Sequence, residues 1–317
     1  MKVWIVARYL TDDEANTLNI DDLTQERQSS IFETLKVKAG FIKNGIDVKI
    51  VNMKELGNPT YVSGISRDKL PDIIVIRCML YKNRELMILN MLQERGVMIV
   101  NNPKAISFCV FKSSQYEKLL REKIPTPMTT SVLLYSTPDE ILSTIKKSGL
   151  KFPLVVKSNC GSRADTVFKC FNVDDILESF EKINTAYPYS TIALLQEWIS
   201  HKSKGVISVL TLGDTIIGAQ QRTPNKEIDF FISNYRKDSN RQVYKVDSEL
   251  HDITMAAVKC IGNIEMSRLD IFHDGDRYLV GEVNSPGSFI SYDLFMGMDC
   301  GLMTAEYILK KYRENNS

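Results

Sequence analysis

The sequence predicts an open α/β domain followed by two α+β lobes. In residues 1–102, short β-branched runs alternate with helical stretches, as in a mostly parallel sheet whose faces are covered by helices. From residue 103 onward, strands also follow one another directly, as in hairpins. A chain of 317 residues is long enough for two or three packed units. We therefore predict domains at 1–102, 103–196 and 197–317.

Residues 1–102 contain four apolar runs of the length of buried strands: Lys2–Arg8, Asp47–Val51, Asp72–Ile76 and Val97–Asn101. The helices predicted between them are Ser30–Asn44, stopped by Gly45, and Lys82–Arg95, stopped by Gly96. The polar, acidic stretch Thr11–Ser29 predicts a long loop after the first strand.

The two later regions mix strands with helices. The predicted strands are Thr130–Leu134, Pro153–Lys157, Thr166–Phe171, Ile192–Glu197, Val206–Leu212, Thr215–Gln221, Ile264–Phe272 and Tyr278–Asn284. The predicted helices are Phe111–Glu122, Pro138–Ser148, Val173–Thr185, Leu250–Ile261 and Leu302–Tyr312.

Composition argues against several classes of protein. A net charge of +1 lacks the basic excess of a dedicated nucleic-acid binder. Six dispersed cysteines and three histidines disfavour disulfides and a His/Cys zinc site. No apolar run approaches the roughly 18 to 20 residues that span a membrane. We expect a cytoplasmic protein without nucleic-acid or membrane partners.

A candidate metal site lies near the end of the chain. Asp-Gly favours a hairpin turn between Leu269–Phe272 and Tyr278–Asn284. Glu282 and Asn284 then point to one face, because side chains alternate along a strand, and Asp270 can reach the same space from the other strand. Two carboxylates and an amide oxygen suit Mg²⁺. An ordinary hairpin with exposed acids is the equally weighted alternative.

Two strand ends carry candidate nucleotide-binding residues. Lys157 closes an apolar strand where it can meet a phosphate, although a lysine extending into solvent explains the same pattern. Gln196 and Glu197 end another strand, beside Trp198 and Ile199, and could bind an adenine ring; a simple strand end is the alternative. The loop from Ser158 to Asp165 could wrap phosphates with backbone amides.

Two more basic residues are candidates for the site. Arg222 follows the strand Ile216–Gln221 and is a candidate to stabilise developing phosphoryl or carboxylate charge. Arg77 ends the third strand, at the edge of the first sheet where a second substrate could be held.

In order along the chain, these features resemble the ATP-grasp superfamily, and within it the RimK-like carboxylate–amine ligases. The similar segments are Asn101–Ile106 with Lys112, Pro125–Pro127, Pro153–Lys157, Gln196–Ile199, Gly213-Asp214 with Arg222, Asp270 with Glu282–Gly287, and Gly297–Gly301. The resemblance implies an ATP-grasp fold, with an N-terminal parallel-sheet domain preceding two α+β lobes that enclose ATP.

The chain departs from the family pattern in three places. The lid loop Asn159–Thr166 has fewer glycines than is usual. The family's Asp-x-Arg segment falls on Val206-Ile207-Ser208, which lacks both charges. The Asp-Phe-Arg-x-Asn segment appears as Asp229–Asn234 without its arginine, for which Arg236 or Arg222 are candidate replacements.

The resemblance also implies a reaction and its participants. ATP would phosphorylate a carboxylate, and an amine would attack the acyl phosphate to form an amide or peptide bond, releasing ADP and phosphate. Lys112 and Lys157 would bind the ATP phosphates, and Arg222 would bind the acyl phosphate. The adenine would be bound by Gln196, Glu197, Trp198 and Ile199. Mg²⁺, with Mn²⁺ as an alternative, would be bound by Asp270, Glu282 and Asn284.

The partners implied are an amino acid or peptide carboxylate and an amine acceptor, and homo-oligomers are common among similar enzymes. A catalytically weak ATP-binding regulator or scaffold is the alternative function. A dinucleotide enzyme is disfavoured, because no glycine follows the first strand until Gly40.

Overall fold

The structure, a computed structural model, describes residues 1–15, 25–56, 69–80, 83–161, 165–199, 205–224, 239–262 and 264–316. Its strands are β1 Lys2–Ala7, β2 Asp47–Asn52, β3 Ile73–Ile76, β4 Met98–Val100, β5 Thr129–Leu133, β6 Leu154–Ser158, β7 Val167–Cys170, β8 Ile192–Glu197, β9 Val206–Leu212, β10 Thr215–Pro224, β11 Ser239–Val243, β12 Met266–His273 and β13 Tyr278–Asn284. Its helices are α1 Asp12–Ala15, α2 Gln25–Lys43, α3 Met53–Leu56, α4 Asn83–Glu94, α5 Pro103–Val110, α6 Lys112–Arg121, α7 Pro138–Ser148, α8 Val173–Ala186, α9 Ser248–Ile261, α10 Ile290–Met296 and α11 Cys300–Asn315.

The first sheet has the strand order β2-β1-β3-β4, and each neighbouring pair is parallel. Its central strands are apolar on both faces: Val3, Ile5 and Val6 of β1 are at most 1% exposed, as are Ile73–Val75 of β3. Burial on both faces is what a parallel sheet between helices requires. The prediction of an open parallel sheet at the start of the chain is confirmed.

The second sheet has the order β5-β8-β6-β7, and all its pairs are antiparallel. The sequence of helix α7 explains why this helix forms and covers the sheet. Thr137 and Glu140 form a capping box at its start, and Gly149 ends it in a left-handed conformation. Ile141 and Ile145, one turn apart, turn the same face into the core.

The third sheet has the order β11-β10-β9-β12-β13 and is also antiparallel. One face packs against α9 through residues such as Ile207, Val209 and Leu269. The other face contributes Leu210 and Met266 to a core shared with the first sheet and α11. The third sheet is therefore held between two layers, and the shared core joins it to the N-terminal region.

Helices α2 and α11 cross at very close range. A Cβ atom on Gly301 would lie 2.5 Å from the carbonyl carbon and oxygen of Lys36, and one on Gly40 would lie 2.6 Å from the oxygen of Gly301. Such distances are below van der Waals contact, so both positions require glycine. This contact packs the C-terminal helix against the N-terminal region.

Several sequence-based expectations need correction. The loop predicted at Thr11–Ser29 contains α1 and the start of α2, while residues 16–24 lie outside the described part of the chain. The loop was predicted because this stretch is polar and acidic, but acidic residues in the first turn also favour a helix N-terminus, as they do in α1. The sequence also did not predict α3, α5, α10 and β11.

No helix in the described ranges is long and apolar enough to cross a membrane. All six cysteines are free, and four of them are buried.

We expect Gly301→Ala to destabilise the fold by about 1 to 3 kcal/mol, because the added methyl group overpacks the α2–α11 crossing. Urea denaturation would measure the change. The matched control is Glu306→Ala on the exposed side of the same helix, which we expect to stay within about 0.5 kcal/mol of wild type. Equal stability of Gly301→Ala and wild type would contradict the close packing.

Candidate active site

Helix α6 positions one side of the site. Its buried residues are Lys112, Gln115, Tyr116 and Leu119, which recur at the spacing of a single helix face. The amide of Gln115 both donates to Val283 O (2.8 Å) and accepts from Val283 N (2.9 Å). The hydroxyl of Tyr116 donates to the oxygen of Gly281. Thus α6 binds directly to the backbone of β13.

Lys112 begins α6 and connects it to the hairpin β12–β13. Its Nζ lies 2.9 Å from Oε1 of Glu282 and donates to the oxygen of Gly161 at 2.9 Å. Burial lowers the pKa of Lys112, but the charge and hydrogen bond of Glu282 act in the opposite direction, and the pKa is raised overall. Lys112 is therefore a fixed positive charge at the entrance of the predicted lid.

Lys157, on β6, has neutral partners instead. Its Nζ lies 2.8 Å from the hydroxyl of Tyr116 and 3.1 Å from Oε1 of Gln196. Burial lowers the pKa of Lys157 to about 7, with only partial opposition from the more distant charge of Glu282. Near neutral pH this amine is therefore only partly protonated, and a bound anion would favour its protonated form.

The strand register brings the predicted metal-binding residues onto one face of the hairpin. Asp270 on β12 is directly opposite Glu282 on β13, and Asn284 follows two residues further along β13. Opposed residues of an antiparallel pair share a face, as do residues two apart on a strand. A register shift after Asp270 marks a local irregularity in the hairpin.

The carboxylate of Asp270 forms ion pairs with two arginines. Nη2 of Arg222 lies 2.5 Å from its Oδ1, and Nη2 of Arg268 lies 3.3 Å from its Oδ2. Burial raises the pKa of Asp270, but Arg268 and Arg222 outweigh it and hold the pKa below its usual range. Asp270 is therefore a carboxylate, the form that binds cations.

The predicted adenine segment sits at the end of β8. Gln196 bridges two strands, since it accepts from Lys157 and its Nε2 donates to Oγ1 of Thr129 at 2.7 Å. Oε1 of Glu197 accepts from the backbone N of Met128 at 2.7 Å. The ring of Trp198 faces Nζ of Lys169 at 4.2 Å. Ile199 follows, half-buried.

The side chains present fit a hard divalent cation. Two carboxylates and an amide on one rigid hairpin face supply oxygen ligands, and Mg²⁺ takes few of these from proteins. The Nδ2 atom of Asn284 is buried without a hydrogen-bond partner in the described ranges, so this amide is not held through its nitrogen. No cluster of three or more His, Cys, Asp or Glu side chains that could hold a metal occurs among the described residues.

Arg77 is not open to a substrate, contrary to one sequence-based suggestion. It is buried, and its Nη2 lies 2.5 Å from Oε2 of Glu33. Glu33 in turn accepts from the backbone N of Phe289 (2.7 Å) and of Ile290 (2.9 Å). This ion pair joins the N-terminal region to the segment after β13.

The sequence analysis did not identify Gln115, Tyr116 and Arg268 as residues of the site. Some residues that it did name lie outside the described part of the chain. Gln115 and Tyr116 could have been found from the helical spacing that they share with Lys112. Arg268 could have been found from its position two residues before Asp270 on one strand. Residues 162–164 of the lid loop, the segment Asp229–Asn234 and Arg236 lie outside the described residues.

Comparison with known protein families places this geometry in context. A sequence model described as the RimK-like ATP-grasp domain matches residues 111–308, which is more than half of the chain. The chain belongs to the RimK-like ATP-grasp family. The matched range of this RimK-like protein includes every sequence-predicted site residue, from Lys112 to Asn284.

Individual proteins similar to this RimK-like chain are a ligase and a synthase by name. Glutamate–LysW ligase ArgX of Sulfolobus acidocaldarius is 27% identical over 227 residues, covering 70% of this chain and 76% of that enzyme. Beta-citrylglutamate synthase B of Danio rerio is 24% identical over 244 residues, covering 75% of this chain and 58% of that protein.

The fold matches a solved ligase with its nucleotide. D-alanine–D-alanine ligase from Bacillus anthracis, complexed with ATP, has a TM-score of 0.70 at 16% identity, covering 99% of both chains. The predictions of an ATP-grasp fold and of an ATP-dependent ligase that forms an amide bond are confirmed.

We expect the stability of the wild type to rise with pH between about pH 7 and 10, because Lys157 is neutral when folded there but holds a proton when unfolded. One such proton contributes up to about 1.4 kcal/mol per pH unit. Urea denaturation of wild type and Lys157→Met at pH 7.5, 8.5 and 9.5 would measure the difference.

Lys157→Met should lack this part of the slope, while Lys147→Met, an exposed control, should retain it. Identical slopes for wild type and Lys157→Met would show that Lys157 is protonated in the folded protein.

Proposed function

We propose that this RimK-like protein uses ATP to convert a small carboxylate into an acyl phosphate, which an amine then attacks to give an amide. A carboxylate does not react with an amine at neutral pH, since oxide would be the leaving group. Phosphorylation provides phosphate as the leaving group, so that ADP and phosphate are released. A divalent cation would supply charge neutralisation for the transferred phosphoryl group.

The observation that carries this proposal is the contact of Lys112 with Glu282. It links the helix that bears one lysine to the hairpin that bears the carboxylates, at 2.9 Å. Tyr116, on the same helix, holds Lys157 at 2.8 Å. Helix α6 thus contacts both lysines, and Lys112 contacts the hairpin face that carries Glu282 and Asp270. A triphosphate bound with a divalent cation needs such basic and acidic groups together.

The nucleotide would lie between the second and third sheets. Lys112 and Lys157 would bind its phosphates. The segment from Gln196 to Ile199 would hold adenine through its backbone and apolar side chains, since the side chains of Gln196 and Glu197 are already paired with Lys157 and Met128.

Asp270, Glu282 and Asn284 would hold Mg²⁺, with Mn²⁺ as an alternative. Arg222 would stabilise the acyl phosphate and the tetrahedral intermediate, because it is buried on the same sheet face and bonded to Asp270. The loop between β6 and β7 would exclude water, which otherwise destroys an acyl phosphate.

An amino acid or short peptide is the substrate class that the relatives support. The names of both relatives contain glutamate, which makes glutamate the first amine or acid to test. We retain the domain boundaries 1–102, 103–196 and 197–317 and a cytoplasmic location as parts of this proposal.

The direct test supplies ATP, Mg²⁺ and pooled amino acids and short peptides, and follows products by mass spectrometry. We expect a condensed product together with ADP and phosphate in equal amounts. Release of AMP would contradict the acyl-phosphate route. Absence of any condensation, with nucleotide still bound, would favour the regulator or scaffold.

A second test removes one proposed cation ligand. Glu282→Gln should lower kcat by at least about 100-fold, because the amide cannot neutralise a divalent cation. Thermal unfolding and ADP binding in EDTA would check that the fold and the nucleotide site persist.

The matched control is Asp276→Asn, an exposed acid in the turn of the same hairpin. It should behave as wild type. Normal turnover in Glu282→Gln would eliminate the proposed cation site.

A further inference from the structure

The outer face of helix α4 exposes two methionines. Met87 is 62% exposed and Met91 is 46% exposed, and the two share a face because they lie four residues apart on a helix. The opposite face of α4 packs into the core of the N-terminal region through Leu86, Leu89 and Leu92. A single exposed apolar side chain is ordinary on a protein surface, but an aligned pair marks a candidate contact surface.

Two exposed charges flank the methionines on the same face. Arg84 lies near the beginning of the helix and Glu94 is its last residue. With 3.6 residues per turn, Arg84, Met87, Met91 and Glu94 all lie within about 40° of the direction opposite Leu89. These four residues form a surface with an apolar centre, a positive end and a negative end, which we call the α4 face.

The α4 face is symmetric about the level of Leu89. Along the helix axis, Met87 and Met91 each lie about 3 Å from Leu89, and Arg84 and Glu94 each lie about 7.5 Å from it. A second copy of α4 that runs antiparallel and crosses at this level therefore places Met87 against Met91 and Arg84 against Glu94. A twofold axis makes each of these contacts occur twice, as in an isologous dimer.

The two charges are at unfavourable ends of an isolated helix. A helix stabilises negative charge at its N-terminus and positive charge at its C-terminus, whereas Arg84 lies in the first turn of α4 and Glu94 in the last. In the antiparallel pair, each of these side chains lies beside the opposite end of the partner helix, where the partial charge is complementary. A second copy of the chain therefore compensates both charges.

We propose that the α4 face is a homodimer contact, in which Met87 packs on Met91 and Arg84 pairs with Glu94 across a twofold axis. Methionine suits such a contact because its flexible side chain adapts to the surface that it meets. A contact made mainly by one pair of helices is small, so the dimer is expected to be reversible at micromolar concentrations. The inference does not depend on the proposed ligase activity.

The first measurement is sedimentation velocity of the full chain between about 1 and 500 µM, the range in which a small interface associates. We expect a monomer–dimer equilibrium. Raising the salt concentration from about 0.05 to 0.5 M should raise the dimer Kd, because salt screens the exposed charges at both ends of the contact.

The decisive variants reverse the two charges. In a homodimer, Arg84→Glu sets acid against acid twice, and Glu94→Arg sets base against base twice. Each variant should raise the dimer Kd by at least about 10-fold. The double variant Arg84→Glu/Glu94→Arg restores opposite charges and should return to within about 3-fold of the wild-type Kd.

An equimolar mixture of the two single variants provides an independent check. A heterodimer of Arg84→Glu with Glu94→Arg has opposite charges at both ends of the contact. The mixture should therefore associate at least about 10-fold more tightly than either variant alone.

Structural damage has a different signature. Each reversal places the sign of charge that its helix end prefers, so the thermal unfolding midpoint of the monomer should not fall. The matched control is Gln93→Glu, which adds a charge at an exposed position of the same helix outside the α4 face. Its dimer Kd should stay within about 2-fold of wild type, because charges outside a contact have little effect on its affinity.

Three results contradict the proposal. Wild type that stays monomeric up to about 500 µM shows that no second copy covers this face. A dimer that tolerates both single reversals uses another surface of the protein. Failure of the double variant and of the mixture to recover association shows that Arg84 and Glu94 do not face each other.

Discussion

The candidate site depends on how an edge strand is held. Strand β13 ends the third sheet, so one side of its backbone has no strand partner among the residues that the structure describes. The side chain of Gln115 takes that place and makes both hydrogen bonds to Val283, while Val280 N donates to Pro125 O at 2.8 Å. Glu282 lies between these two anchors. Helix α6 thus holds in place the strand on which Glu282 and Asn284 are carried.

The same helix connects the parts that must act together. Its face presents Lys112 to Glu282 and Tyr116 to Lys157, so one rigid element sets the spacing between the hairpin and the second sheet. Asn101 makes a comparable connection at the start of this region, because its amide bonds both N and O of Met266. The positions of the charged groups thus follow from amide and hydroxyl contacts to backbone, which are less sensitive to pH than ion pairs.

The sequence predicted the elements with strong periodicity. Strands such as Ile192–Glu197 and helices such as Pro138–Ser148 appear with the predicted bounds, because apolar spacing and capping residues are local signals. The hairpin was within reach, since the Asp-Gly turn defines it, but the register that places Asp270 opposite Glu282 depends on the irregularity after Asp270. Helix α5 was not predicted, although Pro103 is a local signal for it, because proline is favoured in the first turn of a helix.

The pairing of charges could not be predicted, because it depends on strands far apart in sequence. Arg222 and Asp270 are 48 residues apart and meet only because β9 lies between β10 and β12.

The two lysines of the site differ in their partners, which the sequence did not reveal either. Lys112 has its counter-ion within the protein, whereas Lys157 has only neutral hydrogen-bond partners in the described ranges, and burial lowers its pKa to about 7. Lys112 is thus charged before any ligand arrives, whereas Lys157 would take up a proton from solvent when an anion binds beside it. Such a division lets a buried pair of lysines coexist without mutual repulsion until a polyphosphate is present.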